Sequence, residues 1–129
     1  MKVSIQVRYT DFDRMGHLNN AAYATYFEVA RLNFLINLFE THSYRWTDVV
    51  ANLNIDYKIP MVPGNTPEIE IKCSRIGNSS YDLTYSLYEK TAPNIIYATG
   101  KTVQVRIDDE TQQALALDDR IRGILEDNT

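Results

Sequence analysis

The residues best equipped for chemistry lie together in one short segment, Tyr9 to Asn20, which contains two aspartates and a histidine. The residue pattern before the segment predicts a strand, and the pattern after it predicts a helix. The free backbone N–H groups of a helix N-terminus carry partial positive charge and can stabilise a developing oxyanion. An ionised aspartate beside them can attack a carbonyl carbon or act as a general base toward water. The segment therefore combines the two requirements of acyl-transfer chemistry.

The same residues also have a purely structural interpretation. Asp and Asn are favoured immediately before helices, because their side chains accept hydrogen bonds from the first free N–H groups of the helix. Either Asn19 or Asn20 is a good N-cap for the helix that follows. Spacing alone favours this capping interpretation over a catalytic one.

One long helix and five strands are predicted to position this segment. Apolar and polar residues alternate from Val3 to Thr10, which predicts a half-buried first strand. From Ala21 to about Glu40, apolar residues recur at helical spacing over a surface wide enough to predict a helix enclosed on most sides. Further strands are predicted at residues 52–59, 69–73, 81–87 and 95–107. Turns are predicted at residues 77–80, 93–94 (Pro-Asn) and 108–111, and a short C-terminal helix is predicted from an Asp118 cap to about Leu125.

This element order predicts an α+β fold in which a five-stranded antiparallel sheet packs on one long helix. Residues 1–129 are expected to form a single domain. Because the helix is apolar on more than one side, the sheet must curl around it. A curled sheet rich in Tyr and Ile has exposed edges, which favours association with a second copy of the chain.

Composition excludes several classes of function. The formal net charge of −4 argues against nucleic acid or a membrane surface as a partner. The single cysteine, Cys73, excludes an intrachain disulfide, and the N-terminus lacks the apolar stretch of a signal peptide, so a cytoplasmic location is expected. Cys73 is predicted to pack in the core rather than to act as a nucleophile. With only two histidines in the chain, neither a metal site nor a cofactor is expected.

The segment and the first half of the helix resemble the signature of the hotdog-fold acyl-CoA thioesterases, and most of all the 4-hydroxybenzoyl-CoA thioesterase branch. The matching residues are Arg8-Tyr9-x-Asp11-x-Asp13-x-x-Gly16-His17-Leu18-Asn19-Asn20-x-x-Tyr23-x-x-Tyr26-Phe27-Glu28-x-Ala30-Arg31. The hairpin at 76–80 and the end of the last strand are also similar, in matching order. The resemblance implies a five-stranded antiparallel sheet wrapped around one central helix. It also implies active sites at the interface of a homodimer, which commonly pairs into a homotetramer.

Carried over position by position, the resemblance assigns roles to three residues of the segment. Asp13 falls at the catalytic carboxylate, which would attack the thioester carbonyl or activate water. The backbone N–H near Asn20 falls where the carbonyl oxygen is polarised. His17 matches a catalytic histidine of the related plant acyl-carrier-protein thioesterases. Those enzymes carry an asparagine two positions after the aspartate, and here that position is Met15, so the plant-type set is incomplete.

Substrate contacts are expected from the helix and from the hairpin. The candidates for the acyl pocket, which are equally expected in a core, are Tyr23, Tyr26 and Phe27. Glu28 matches an acid of the family, and the alternative is an ion pair with Arg31. Arg75 and Ser79 are candidates for binding the phosphates of CoA, and the alternative for both is a solvated surface side chain.

The chain is therefore predicted to be an acyl-CoA thioesterase. Two alternatives stay open, an acyl-carrier-protein thioesterase and a non-catalytic module that binds acyl thioesters. Asp13 favours catalysis over binding alone. A hotdog dehydratase is not favoured, because such enzymes normally carry their His or Asp/His pair in another arrangement.

Overall fold

Five strands form one sheet against a long helix in the computed structural model, which describes residues 1–41 and 46–129. In chain order the elements are β1 (Lys2–Ser4), a 3₁₀ turn (Tyr9–Asp11), α1 (Asn20–Thr41), β2 (Asp48–Tyr57), β3 (Pro67–Ile76), β4 (Ser80–Glu89), β5 (Ala92–Arg106) and α2 (Asp119–Glu126). The strand order is β1-β3-β4-β5-β2, and every neighbouring pair is antiparallel. The predicted α+β class and hotdog fold are confirmed.

Helix α1 packs one apolar stripe against the concave face of the sheet. Phe27 is fully buried and stacks on Tyr85 of β4, with 4.8 Å between the ring centroids. The Phe27 ring also lies directly over Gly100 of β5, where a Cβ atom would overlap it. Gly100 therefore allows the helix to approach the sheet closely. The other buried members of the stripe are Tyr23, Ala30, Phe34 and Leu38.

The β3–β4 side of the concave face is well covered. Its buried inward-facing side chains are Ile69, Ile71, Cys73, Tyr81, Leu83 and Leu87. The predicted core position of Cys73 is thus confirmed. Burial raises the pKa of its thiol to about 11, so little of the nucleophilic thiolate exists at neutral pH.

The β2 side is open by contrast. Leu53 lies opposite the buried Thr102 of β5 and therefore faces the helix side of the sheet, yet it stays 42% exposed. On α1, the neighbouring apolar residues Val29, Leu32 and Ile36 are also exposed. The prediction of a helix enclosed on most sides is therefore wrong for the single chain, because the sheet covers only part of its apolar surface.

The first strand is shorter than its alternating sequence predicts. β1 ends at Ser4, and after one further hydrogen bond from Ile5 to the Pro67 carbonyl the chain leaves the sheet. Tyr9, predicted on the buried face, begins the 3₁₀ turn and is 93% exposed. The alternating sequence pattern continues beyond Ile5, but β3 offers no further residues for the chain to pair with.

The turn predicted at Pro93–Asn94 is also wrong. Strands β4 and β5 are joined three residues earlier, through 90–91. The pairing shifts from Glu89↔Ala92 to Tyr88↔Ile96, so residues 93–95 bulge out of β5. Proline has no N–H to donate to a sheet and is accommodated at such bulges.

Asp118 caps helix α2 as predicted, because its side chain accepts a hydrogen bond from the Ile121 N–H at 2.9 Å. Arg122 of this helix donates to the Gly77 carbonyl and ties α2 to the β3–β4 hairpin. Within residues 1–41 and 46–129, no helix has the length and apolarity needed to span a membrane. His42, one of the two histidines, lies outside the described residues.

Candidate active site

Asp11 is the buried aspartate of the segment, and its carboxylate is fully engaged. Arg8 donates to both carboxylate oxygens at 3.1 and 3.4 Å, and the Tyr26 hydroxyl donates at 2.7 Å. Burial alone would raise the pKa of Asp11, but the hydrogen bonds from Tyr26 and Arg8 outweigh it and hold the pKa below its usual value. Because the Asn19 N–H also donates to the Asp11 carbonyl at 2.8 Å, this network fixes the segment to the start of α1.

Asp13, two residues further on, is exposed and lies in a tight turn. Its Oδ1 accepts hydrogen bonds from the backbone N–H groups of Met15 at 2.8 Å and His17 at 3.2 Å. Gly16 completes the turn with a φ of 78°, a conformation that favours glycine. No residue in the described part of the chain donates to Oδ2, so this oxygen is available to a substrate or a water molecule.

The helix start resolves which asparagine is the cap. Asn19 caps α1, because its Oδ1 accepts from the Ala21 N–H at 3.0 Å. Asn20 is the first helical residue, and its own N–H donates no hydrogen bond within residues 1–41 and 46–129. A free N–H at this position carries the partial positive charge of the helix end. It is a suitable donor to a carbonyl oxygen that becomes an oxyanion.

A single cavity of about 230 Å³ brings several predicted site residues together. The segment and α1 contribute Asp13, His17, Asn20 and Tyr23. The end of β2 closes the other side: the Tyr57 hydroxyl donates to the Asn20 carbonyl at 3.3 Å. The Tyr57 ring also packs edge-on against Tyr23, with 5.0 Å between centroids. The free carboxylate oxygen and the free helix N–H thus belong to residues of the same pocket.

No sequence feature predicted that the end of β2 contributes to this cavity. Tyr57, Lys58 and Ile59 line it, and the N–H groups of Lys58 and Ile59 both donate to the Tyr97 carbonyl, which holds the strand end in place. The sequence signals that the strand stops before Pro60. No local sequence pattern predicts which other element lies beside the end of the strand.

Three other predicted contacts on α1 do not line this cavity. Tyr26 donates to Asp11, and Phe27 is buried against Tyr85. Glu28 is exposed, and it forms no ion pair with Arg31 in the structure. Arg31 instead approaches the Tyr85 hydroxyl at 3.4 Å. The ion-pair alternative for Glu28 is therefore wrong.

Arg75 and Ser79 lie at the opposite end of the sheet. The hairpin that carries them is beside the start of β2, because Ser80 and Val49 both pair with Val105. The cavity is beside the end of β2, and a strand of 10 residues spans roughly 30 Å. Arg75 is engaged locally, donating to the Asp82 carboxylate at 2.8 Å. Within one chain, neither residue is close to Asp13.

Comparison with known proteins identifies related sequences and structures. The family model of the thioesterase-like superfamily matches residues 7–125. The long-chain acyl-CoA thioesterase FadM of Escherichia coli is 31% identical over 132 residues, which cover 98% of this chain and 97% of FadM. The structure of YbaW, a probable thioesterase from Escherichia coli, has a TM-score of 0.85 at 31% identity and covers 98% of this chain and 96% of YbaW. A predicted thioesterase from Bacillus stearothermophilus has a TM-score of 0.88 at 25% identity, covering 99% and 95% of the two chains.

Proposed function

The chain belongs to the thioesterase-like superfamily and is a thioester hydrolase, and from that premise we propose that it hydrolyses acyl-CoA to a free acid and CoA. One observation supports the site most directly. The Oδ2 atom of Asp13 and the N–H of Asn20 both lack partners in the described part of the chain, and both residues line one cavity. A carboxylate can activate water or attack the carbonyl, and a helix-end donor can stabilise the oxyanion, so together the two groups suit thioester hydrolysis.

In the proposed mechanism, the thioester carbonyl oxygen accepts a hydrogen bond from the Asn20 N–H. Asp13 then removes a proton from water while the water oxygen attacks the carbonyl carbon. The resulting oxyanion is stabilised by the same N–H, and its collapse breaks the C–S bond and releases CoA as a thiolate. Alternatively, Asp13 attacks the carbonyl carbon directly, and water hydrolyses the resulting anhydride.

Little further assistance is needed, because a thiolate is a better leaving group than an alkoxide or an amine anion. His17 lines the cavity, and its side chain makes no hydrogen bond within the described residues. We assign it the relay of the proton that Asp13 has taken from water to the departing thiolate, which returns Asp13 to its carboxylate form. This role is independent of the plant-type asparagine, which is replaced here by the exposed Met15.

The comparisons support one carrier and one class of acyl group for the proposed substrate. Similarity to FadM over nearly the whole of both chains favours CoA as the carrier and a long acyl chain. The incomplete plant-type set at Met15 disfavours an acyl-carrier protein. A carboxylate that is oriented by two backbone N–H groups and keeps its second oxygen free in a cavity favours catalysis over binding alone.

A second copy of the chain completes this proposal. Edge strand β2 and the exposed apolar residues of α1 form a surface of the kind that associates in oligomers. A two-fold axis that pairs β2 with β2 of the partner makes the strands antiparallel. The partner's β3–β4 hairpin then lies near the cavity of this chain, which would bring the partner's Arg75 and Ser79 within reach of the CoA phosphates. Homodimers of this kind can pair into a homotetramer.

The proposal also places the enzyme in the cytoplasm, where acyl-CoA is formed and used. One test is a thiol-release assay with aryl, short-chain and long-chain acyl-CoAs. Light scattering on the purified protein measures the number of chains in the oligomer. Turnover of at least one class by a dimer or tetramer is expected. Binding of acyl-CoA without turnover would instead identify a non-catalytic module. Turnover confined to acyl-carrier-protein thioesters would identify the other carrier.

A further inference from the structure

One wall of the candidate active site is formed by the loop of residues 58–66, which joins β2 to β3. Its first three residues, 58–60, line the cavity. The loop continues through Met61, which is fully buried, and ends at Thr66, immediately before β3. The loop therefore lies where it can hold the residues of the proposed mechanism in place.

The loop is bonded to the turn that carries Asp13. The backbones of Phe12 and Leu18 pair as an isolated antiparallel bridge at the base of this turn. The Leu18 N–H donates to the Met61 carbonyl of the loop at 2.8 Å. Leu18 is buried, so this hydrogen bond is shielded from water. Asp11 thus fixes the arm of the turn that precedes Asp13, and Met61 fixes the arm that follows it.

Both ends of the loop are attached to strands β4 and β5 through one side chain, Glu89. Its carboxylate is 7% exposed and accepts from the Thr66 N–H at 2.7 Å and from the Thr66 hydroxyl. It also accepts from the Tyr97 hydroxyl at 2.9 Å. The Tyr97 carbonyl in turn accepts from the N–H groups of Lys58 and Ile59, at 2.8 and 3.1 Å. Glu89 therefore contacts the end of the loop directly and its beginning through one residue.

Within the described residues, five neutral donor groups hold the charge of Glu89. Besides those of Thr66 and Tyr97, they are the backbone N–H and the hydroxyl of Thr91, at 3.0 and 2.9 Å. The hydrogen bonds from Thr66 and Thr91 outweigh the effect of burial and hold the pKa of Glu89 well below its usual value. The carboxylate is therefore ionised at neutral pH, and its hydrogen bonds are stronger than those of a neutral acceptor.

We propose that Glu89 is a positioning residue for thioester hydrolysis, which fixes loop 58–66 and, through the Met61 carbonyl, the turn that carries Asp13. This inference rests on the proposed function and deepens it, because it assigns the reactive carboxylate a support that lies far from it in sequence. When Glu89 no longer holds the loop, Leu18 loses a fixed acceptor and Asp13 loses its single orientation. A misplacement of about 1 Å in a catalytic group can cost about 10²-fold in rate.

The test compares Glu89→Gln with Glu68→Gln. Glu68 is the matched control, because it lies on the outer face of the sheet and accepts from the Tyr88 hydroxyl. The neutral amide in Glu89→Gln has one acceptor oxygen in place of two, so the bonds from Thr66 and Thr91 weaken and one of these residues faces a donor. Glu89→Gln should lower kcat for the best acyl-CoA substrate at least about tenfold and leave KM within about twofold. Glu68→Gln should leave both values within about twofold of wild type.

Hydrogen exchange measured by NMR separates positioning from a general loss of stability. The Leu18 amide reports the hydrogen bond to Met61, and its exchange should accelerate at least about tenfold in Glu89→Gln. The amide of Leu83, in the middle of β4, reports global unfolding and should accelerate less. Equal acceleration at Leu18 and Leu83 would indicate a purely structural role and would overturn the proposal.

A second pair of variants decides the question if Glu89→Gln does not fold. The hydroxyls of Thr66 and Thr91 both donate to Oε2 of Glu89, but only Thr66 belongs to the loop. Thr66→Val should lower kcat at least about threefold and accelerate exchange at Leu18, because one hydrogen bond to a charged group is lost from the loop. Thr91→Val removes the same kind of bond outside the loop and should keep the wild-type kcat and Leu18 exchange.

The two proposals fail in different ways. If wild type hydrolyses no acyl-CoA, the proposed function is wrong, and the exchange of the Leu18 amide still measures whether Glu89 holds the turn. If wild type is active and the substitutions at Glu89 and Thr66 leave kcat unchanged, the positioning role is wrong. A fall in kcat without faster exchange at Leu18 would also overturn it, since Glu89 would then act by another route. An equal fall in kcat in Glu68→Gln would do the same.

Discussion

Asp11 and Asp13 are two residues apart and have opposite environments. Asp11 is 8% exposed, with its carboxylate held by Arg8 and Tyr26. Asp13 is exposed, and one of its oxygens accepts two backbone N–H groups while the other is free. The first carboxylate has no capacity left for a ligand. The carboxylate of Asp13 is oriented by its turn, and its Oδ2 can still accept a hydrogen bond or attack a carbonyl carbon.

Under the proposed mechanism, one short segment divides structural and chemical work between these two residues. Asp11 joins the 3₁₀ turn to the helix, and this fixes the position from which the Asp13 turn extends. A buried carboxylate that satisfied both tasks would lose its structural hydrogen bonds whenever it reacted. Separating the tasks by two residues leaves the reactive group free to change its bonding without loosening the segment.

The sharpest test of this division is Asp13→Asn. We expect kcat for acyl-CoA hydrolysis to fall at least about 10²-fold, because the amide cannot act as base or nucleophile. The free energy of unfolding should stay within about 0.5 kcal/mol of wild type, since the amide oxygen can still accept the two backbone N–H groups. Thiol release and urea unfolding measure the two quantities. Unchanged turnover would remove Asp13 from the mechanism.

The same substitution at Asp11 should have the opposite outcome. Asp11→Asn replaces a buried carboxylate that accepts from Arg8 and Tyr26, so we expect a loss of about 2 kcal/mol in the free energy of unfolding. Turnover of the remaining folded protein should fall far less than in Asp13→Asn. If Asp11→Asn abolished activity without a loss of stability, the roles of the two aspartates would have to be exchanged.

The stability difference between wild type and Asp11→Asn should also depend on pH. The pKa of Asp11 is lowered in the folded state, so its contribution is complete above the unfolded value of about 3.9 and is lost as the pH falls through the folded value. Urea midpoints at neutral pH and near pH 3 measure this directly. The gap between the two proteins should narrow at the lower pH, and a constant gap would contradict an ionised Asp11.

A smaller effect is expected from Tyr26→Phe, which removes only the hydroxyl that donates to Asp11. We expect a loss of about 1.5 kcal/mol, the usual contribution of a hydrogen bond to a charged group. Combined with Asp11→Asn, its cost should be less than additive, because the two groups share one hydrogen bond. Full additivity in this double-mutant cycle would mean that the contact contributes nothing to stability.

The smallest effect concerns the backbone of the Asp13 turn. Gly16→Ala should cost about 1 kcal/mol, since Gly16 has a φ of 78° and no atom lies within 4 Å of an added Cβ. Gly123→Ala is the matched control, because Gly123 also has open space around it but lies inside α2. That change should stabilise the protein by about 0.5 kcal/mol or more. Equal effects at both positions would argue against a strained turn.

The parts of the site that are local in sequence could be predicted. Asp13, His17 and Asn20 lie within one turn and one helix start, so chain connectivity alone brings them together. The choice between Asn19 and Asn20 as the cap could not be made from residue type, because both can accept the hydrogen bond. The choice depended on a contact outside the helix. The Asn19 N–H donates to the Asp11 carbonyl, and this hydrogen bond fixes where the helix begins.

The parts that depend on tertiary packing could not be predicted. Tyr57 reaches the cavity because β2 ends beside α1, and no local pattern encodes that contact. Tyr9 continues an alternating pattern but has no strand to pair with. In β5, Pro93 carries a turn signal that the sheet accommodates as a bulge. Each failure occurs where a neighbouring element, rather than the local sequence, decides the outcome.

The close contact between Phe27 and Gly100 has a further consequence for evolution of the site. The distance between α1 and the sheet depends on the absence of a Cβ atom at Gly100. Asn20 lies about 10 Å along α1 from Phe27, at roughly 1.5 Å per residue. A displacement of the helix at Phe27 would therefore also move Asn20. A larger residue at position 100 would therefore push α1 away from the sheet and misalign the proposed oxyanion donor, the Asn20 N–H. Selection for the proposed activity would then act on a glycine that does not line the cavity of Asp13 and Asn20.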